Sequence, residues 1–166
     1  MKLGWLIFLL AFLVRFINLL FLDLNIENYL IEDQKFYWNW SLRGAYLPWS
    51  EVPNTLLTER MPGSFWFYGF LQWITNNNLY LVLILQSIID SFTCVMIFNC
   101  AGLLNKKYQL YTGLFASFSP LMVIISSQIL SDTIFLFTFT CCLYFLLKSW
   151  RSKNLNYMLY LSGLLL

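Results

Sequence analysis

Residues 3–22 have the sequence LGWLIFLLAFLVRFINLLFL, in which Arg15 is the only charged side chain. A helix that crosses a bilayer needs about 20 mostly apolar residues, because the hydrocarbon core is about 30 Å thick. Lys2 precedes the stretch, as in a signal peptide, but the apolar run is long, Arg15 interrupts it, and no small-x-small cleavage pattern follows. The stretch therefore predicts a retained membrane-spanning helix.

The rest of the chain is similarly apolar. Of its 166 residues 60% are hydrophobic and 11% are charged, whereas a soluble domain carries about 25% charged residues. The net charge of +2 is too small to indicate nucleic acid as a partner, and we expect none. The chain contains no histidine, which excludes histidine acid–base chemistry, Ser-His triads and most zinc sites. Four cysteines lie inside apolar runs and are expected to pack there without disulfides: Cys94, Cys100, Cys141 and Cys142.

Further apolar segments follow at residues 80–104, at residues 110–127 with Pro120 inside, and at residues 133–147 with an alternative start at Leu130. Residues 156–166 begin a fifth segment of about 11 residues, which is too short to span. We expect this to be the N-terminal part of a longer protein or of a split reading frame. The predicted fold is an all-α membrane protein with about four transmembrane helices plus a partial fifth, in a single membrane domain of residues 1–166.

The basic residues between the spans predict the orientation. The groups that lie outside the first loop are Lys2, Lys106 with Lys107, and Lys148 with Arg151 and Lys153. The positive-inside rule places all three groups, and with them the N-terminus, in the cytoplasm. Residues 23–63 and the turn at residues 126–132 then face the outside. We expect a multi-pass protein of the inner membrane in a bacterium or of the endoplasmic reticulum in a eukaryote.

Residues 23–63 form a polar island in this apolar chain. The island holds six of the eight acidic residues: Asp23, Glu27, Glu32, Asp33, Glu51 and Glu59. Residues 32–42 and 62–75 are rich in aromatic side chains but too short to span, so we predict interfacial helices within an outer loop of residues 23–78.

Two ionisable residues lie within predicted spans. Arg15 is about two thirds of the way along the first span, and Asp90 is near the middle of the second. Such residues are costly in a membrane and are usually paired. Their depths predict a structural salt bridge, which we prefer to a catalytic role.

Three residues of the outer loops are candidates for chemistry. Asp33 could act as a general base at a partly dry surface, or it could be a solvated charge or a helix cap. Asp132 follows Ser131, a pattern typical of a helix start, and could also face the same cavity as Asp33. Arg60 suits a phosphate or a lipid headgroup.

Several short motifs in this order resemble a known family. They are Ile31-Glu32-Asp33-Gln34-Lys35-Phe36-Tyr37, Gly44, Thr58-Glu59-Arg60-Met61-Pro62-Gly63, Ser119-Pro120 and Ser127-Gln128-Ile129-Leu130-Ser131-Asp132. The chain resembles the N-terminal part of the GT-C type glycosyltransferases, in particular the dolichyl-phosphate-mannose protein mannosyltransferases and the lipid A aminoarabinose transferases.

The resemblance implies transfer of a sugar from a polyprenyl-phosphate donor to a hydroxyl of a lipid, glycan or protein acceptor at the outer membrane face. It implies that Asp33 is the catalytic base and that Arg60, Asp132, Tyr37 and Glu32 bind substrates. A divalent cation, Mg or Mn, held by Asp33 and Asp132 is compatible with it. The alternatives are a non-catalytic membrane subunit or scaffold, a degraded fragment, or a transporter fragment. A transporter is disfavoured because the spans lack paired broken helices around a midplane site.

Overall fold

The computed structural model describes residues 2–23, 25–46, 62–151 and 163, and the regular secondary structure within these ranges is helical. The helices are α1 (Lys2–Leu20), α2 (Ile26–Tyr29), α3 (Asp33–Tyr46), α4 (Pro62–Ile74), α5 (Leu79–Leu104), α6 (Gln109–Phe118), α7 (Pro120–Ser126) and α8 (Asp132–Arg151).

Three of these helices, α1, α5 and α8, are long and apolar enough to cross a membrane, and α6 with α7 forms a bent pair that passes the same test. This confirms the predicted all-α membrane fold, and the protein is an integral membrane protein. The partial fifth span expected at residues 156–166 lies outside the described residues, apart from Gly163.

The bend between α6 and α7 is 53° and falls at the predicted interruption. Pro120 is the first residue of α7 and follows Ser119, which has an extended backbone with φ −62° and ψ 117°. Proline lacks an N–H and disfavours a helical conformation in the residue before it, so one helix ends and another begins there.

The helix contacts give the bundle two distinct ends. α1 runs antiparallel to α5, since Arg15 contacts Asp90 while Gly4 lies beside Val95. α8 runs parallel to α5, since Thr133 is bonded to Gln86 and Arg151 is bonded to Leu103.

The bent pair crosses the whole bundle. Gln109 of α6 lies against Gly102 near the end of α5. Ile125 of α7 accepts a hydrogen bond from Gln86, in the first half of α5. The pair therefore carries the chain from one end of the bundle to the other, as a broken span does.

The two ends differ in charge. One end, hereafter the basic end, carries Lys106, Lys107, Lys148 and Arg151. The other, hereafter the acidic end, carries Asp23, Glu32, Asp33 and Asp132, together with Lys35. This separation follows the distribution on which the predicted orientation rests.

The buried charges lie between the ends. Nε of Arg15 and Oδ2 of Asp90 are 2.5 Å apart, and both side chains are 0% exposed. Arg15 also donates to the carbonyl oxygens of Ala11 and Ser117 and to the Sγ of Cys94. The pair expected from the sequence therefore joins α1, α5 and α6.

The four cysteines are free and buried, as predicted. The exposed surface of the spans is apolar, as a lipid-facing surface should be. Its exposed members on α1 are Leu3, Trp5, Leu6, Leu9, Leu13, Ile17 and Leu20.

Helices α3 and α4 pack against each other at the acidic end. Gln72 of α4 donates a 2.9 Å hydrogen bond to the Trp38 carbonyl of α3. The sequence predicted short helices at residues 32–42 and 62–75, and the structure has them at Asp33–Tyr46 and Pro62–Ile74. Their placement in the membrane interface stays a prediction.

Candidate active site

Asp33 is the first residue of α3, and its side chain is exposed. Glu32 precedes it with φ 42°, a left-handed conformation that is uncommon for residues other than glycine. Such backbone strain is enriched at functional sites. The backbone N–H of Gln34 closes the turn on the Ile31 carbonyl at 2.9 Å.

Asp132 occupies the same kind of position in another helix. It is the first residue of α8 and is exposed, and the N–H of Phe135 bonds to the Ser131 carbonyl at 3.0 Å. A carboxylate at a helix N-terminus interacts favourably with the helix dipole. Asp33 and Asp132 are therefore each the first residue of a helix, and both side chains are exposed.

Two hydrogen bonds bring these helix starts to one place. The Tyr29 hydroxyl, on α2, donates to the Ser127 carbonyl. The Ile129 N–H lies 3.5 Å from Oε1 of Gln34, the residue after Asp33. Residues 127–131, hereafter the α7–α8 turn, thus contact both the start of α3 and the helix before it.

A second network holds the α7–α8 turn from inside the bundle. The Tyr68 hydroxyl of α4 donates to the Leu130 carbonyl at 2.6 Å and lies 3.1 Å from Oε1 of Gln86. Nε2 of Gln86 in turn reaches the Gln128 carbonyl at 2.7 Å. Helices α3, α4 and α5 therefore all converge on the turn that precedes Asp132.

Burial raises the pKa of Tyr68, and the negative charge of Asp132 adds to this effect against an opposing hydrogen bond to Leu130. Burial also raises the pKa of Tyr29, against the opposing effect of its hydrogen bond with Ser127. Both hydroxyls are therefore protonated donors at neutral pH. Asp132 follows the α7–α8 turn directly and comes two residues after Leu130, which accepts the Tyr68 bond.

Tyr37, expected to bind substrate, is a core residue that is 3% exposed. Its ring stacks on Phe65 with the centroids 5.0 Å apart and lies 6.4 Å from the ring of Tyr68. The side chain therefore joins α3 to α4 and does not line the surface beside Asp33.

Of the remaining candidates, Glu32 is among the described residues and Arg60 is not. Glu32 is exposed beside Asp33. Arg60 and Glu59 lie outside the described residues, which resume at Pro62, the first residue of α4.

A bound cation would find few protein ligands here. Among the residues that the structure describes, no three Cys, Asp or Glu side chains cluster to form a metal site. Asp33 and Asp132 each lie exposed at one of the converging helix starts. A divalent cation held by them would take its other ligands from water and substrate phosphate, as Mg²⁺ commonly does.

Sequence reasoning missed Tyr29, Gln34, Tyr68 and Gln86. A polar residue inside a membrane span is a functional signal by default. Gln86 lies within a predicted span, as Arg15 and Asp90 do, so its position could have singled it out. Nothing in the sequence pairs Tyr29 with residue 127, because that contact depends on the tertiary fold.

Residues 59–166 match the sequence profile of the dolichyl-phosphate-mannose-protein mannosyltransferase family. The matched region includes Arg60, Tyr68, Gln86 and Asp132 but begins after Asp33. No curated protein and no solved structure matches the chain. The match covers more than half of the 166 residues, and the chain therefore belongs to the dolichyl-phosphate-mannose-protein mannosyltransferase family.

Proposed function

We propose that this protein transfers a sugar from a polyprenyl-phosphate donor to an acceptor hydroxyl at the outer face of the membrane, with Asp33 as general base. Family membership supports a GT-C type glycosyltransferase. The observation that carries the assignment is the contact of Gln34 with Ile129, which joins the start of α3 to the turn before Asp132. Two exposed carboxylates from distant parts of the chain thereby reach one end of the bundle.

In the proposed reaction, Asp33 accepts the proton of the acceptor hydroxyl while its oxygen attacks the anomeric carbon of the sugar. The bond between that carbon and the phosphate oxygen breaks, and the polyprenyl phosphate leaves with the electron pair. A general base must be ionised and within reach of the proton it removes. Asp33 is exposed at a helix start, where the helix dipole favours a carboxylate, and this supports its choice as the base.

The leaving phosphate gains negative charge during transfer and needs a cationic partner. Arg60 is the proposed partner, because a guanidinium binds phosphate through two parallel hydrogen bonds. It comes two residues before the start of α4, and α4 is tied to the α7–α8 turn through Tyr68. A divalent cation on Asp33 and Asp132 would supply further neutralisation.

Asp132 is proposed to orient the acceptor or help hold that cation, and Glu32 to line the same surface. We assign Tyr37 to support of α3, in place of substrate contact, because its ring is buried against Phe65. The outer face is proposed because the site lies at the end opposite the basic residues.

The test compares Asp33→Asn with Asp23→Asn in membranes containing the protein and radiolabelled polyprenyl-phosphate mannose. Both residues are exposed acids of the polar island. Loss of a general base lowers a rate by about 10²–10⁴-fold, so Asp33→Asn should lose transfer while Asp23→Asn keeps it. Transfer at the wild-type rate by folded Asp33→Asn would refute the assignment.

One observation favours a second candidate, a non-catalytic subunit that docks another protein. α4 exposes Trp66, Phe70 and Trp73, the last of them 62% exposed, along one face. If docking is the function, Asp33→Asn leaves it intact and Trp73→Ala breaks a complex that can be isolated. The enzyme assignment predicts the reverse sensitivity in the transfer assay.

A further inference from the structure

The carboxamide of Gln86 makes several polar contacts around the α7–α8 turn. Gln86 lies in α5 and is 0% exposed. Its Nε2 lies 2.7 Å from the Gln128 carbonyl, 3.3 Å from the Ile125 carbonyl and 3.1 Å from Oγ1 of Thr133. Its Oε1 lies 3.1 Å from the Tyr68 hydroxyl.

These contacts lie on both sides of Asp132 along the chain. Gln128 and Ile125 precede it, and Thr133 follows it directly. Thr133 is itself 0% exposed, and its hydroxyl also lies 3.4 Å from the Ile125 carbonyl. Gln86 therefore fixes the path by which the chain enters α8, while the Asp132 side chain stays exposed.

Glutamine suits this position because its carboxamide nitrogen donates to the turn. The single proton of the Tyr68 hydroxyl goes to the Leu130 carbonyl, which is nearer than Oε1 of Gln86. Three oxygens lie within hydrogen-bond distance of Nε2, so the nitrogen of the carboxamide, and not its oxygen, is assigned to the side that faces the turn.

We propose that Gln86 is a positioning residue that acts through the α7–α8 turn to hold Asp132 in the geometry for sugar transfer. The inference rests on the proposed function. A misplacement of about 1 Å can cost about 100-fold in rate. A shift of the α7–α8 turn after loss of the Gln86 bonds is therefore enough to slow transfer, although Gln86 does not touch substrate.

Gln72 provides a matched control. It is also a 0% exposed glutamine, but its Nε2 bonds to Trp38 of α3 and not to the turn. The substitutions Gln86→Met and Gln72→Met each remove one buried carboxamide at similar side-chain volume.

The first measurement is hydrogen exchange of backbone amides in detergent-solubilised protein, read by mass spectrometry. Gln86→Met should speed exchange in residues 127–131 at least tenfold, about 1.4 kcal/mol of local opening, while Gln72→Met leaves these amides unchanged. Unchanged exchange in folded Gln86→Met would overturn the inference.

The second measurement is a double-mutant cycle on mannose transfer from radiolabelled polyprenyl-phosphate mannose. Gln86→Met should lower the rate by about 10–100-fold in the wild-type background. In an Asp132→Asn background it should lower the rate less than about twofold, because the residue it positions has already been changed.

A general loss of structure would instead give the same fold-loss in both backgrounds, and that result would overturn the inference. Absence of transfer by the wild-type protein would refute the proposed function, and the inference with it. If Gln86→Met does not fold, Thr133→Val takes its place, because it removes one of the same bonds at nearly the same volume. In the Asp132→Asn background it should lower the transfer rate less than it does in the wild-type background. Additive losses from Thr133→Val would overturn the inference as well.

Discussion

Asp90 lies inside the bundle with none of its surface exposed, whereas Asp33 and Asp132 lie exposed at the acidic end. Asp90 has Arg15 as its partner. Asp33 and Asp132 begin helices, where the dipole stabilises a carboxylate without burying it. The interior therefore holds an acid that is paired between helices, whereas the acidic end holds acids that are exposed at the surface.

The difference follows from the surroundings of each group. A charge inside a membrane bundle is costly unless it is paired. Arg15 of α1 and Asp90 of α5 form such a pair, and Arg15 also donates to the Ser117 carbonyl of α6. At the acidic end neutral groups such as Tyr29, Tyr68 and Gln86 make the bonds that hold the α7–α8 turn, and the side chains of Asp33 and Asp132 are exposed.

The largest effect is expected at the buried pair. Arg15→Ala leaves the Asp90 carboxylate buried without its partner, which destabilises a protein by about 3–5 kcal/mol. We expect this loss in the free energy of unfolding, measured by denaturant titration of the protein in detergent.

The control is the double substitution Arg15→Leu with Asp90→Leu, because replacing both members of a buried pair by apolar groups is often neutral. It should unfold near the wild-type midpoint. If the double variant is as unstable as Arg15→Ala, the loss comes from packing and the pair is not the cause.

A smaller effect on stability is expected from the packing around two glycines, one in the interior and one at the acidic end. A Cβ at Gly113 of α6 would lie 3.0 Å from Cδ2 of Phe98 and 3.2 Å from Cδ1 of Ile7, whereas a Cβ at Gly63 of α4 meets nothing within 4 Å. Overpacking costs about 1–3 kcal/mol. Gly113→Ala should therefore be less stable than Gly63→Ala by about this amount in the same titration, and equal stabilities would show that the helices adjust freely.

The smallest effect concerns alkaline pH. Burial raises the pKa of Tyr68 above the usual value of about 10. Because the unfolded state loses this proton first, the stability due to Tyr68 is complete below about pH 10 and falls as the pH rises further. The slope for one such group is about 1.4 kcal/mol per pH unit.

Tyr68→Phe should remove that slope, so the stabilities of variant and wild type should converge between about pH 10 and 12. Tyr29→Phe is a matched comparison and should change with pH in the same sense, because burial also raises the pKa of Tyr29. A constant difference between Tyr68→Phe and wild type across this range would show that the Tyr68 hydroxyl ionises as readily in the folded state.

Much of the fold could be predicted from the sequence because membrane helices are encoded locally. Apolar length alone located α1, α5 and α8, and Pro120 marked the break between α6 and α7. The depths of Arg15 and Asp90 predicted that they would meet, since a charge in a span needs a partner.

The site was less predictable because its contacts join distant segments. Asp33 and Asp132 could be named as candidates from motif and position, but the bonds from Gln86 to Gln128 and from Tyr29 to Ser127 depend on how α5 and α2 pack. Tyr37 illustrates the same limit: motif position suggested substrate contact, whereas packing buries its ring against Phe65.

The central claim is that the exposed acids carry the proposed chemistry and that the buried pair has a structural role only. Its most direct test is the rate of mannose transfer from polyprenyl-phosphate mannose by Asp33→Asn and by the Arg15→Leu, Asp90→Leu double variant, each normalised to folded protein. We predict that Asp33→Asn folds but loses transfer by at least about 100-fold, while the double variant keeps a rate close to wild type. Transfer by Asp33→Asn at the wild-type rate, together with loss of transfer in a folded Arg15→Leu, Asp90→Leu variant, would contradict this claim.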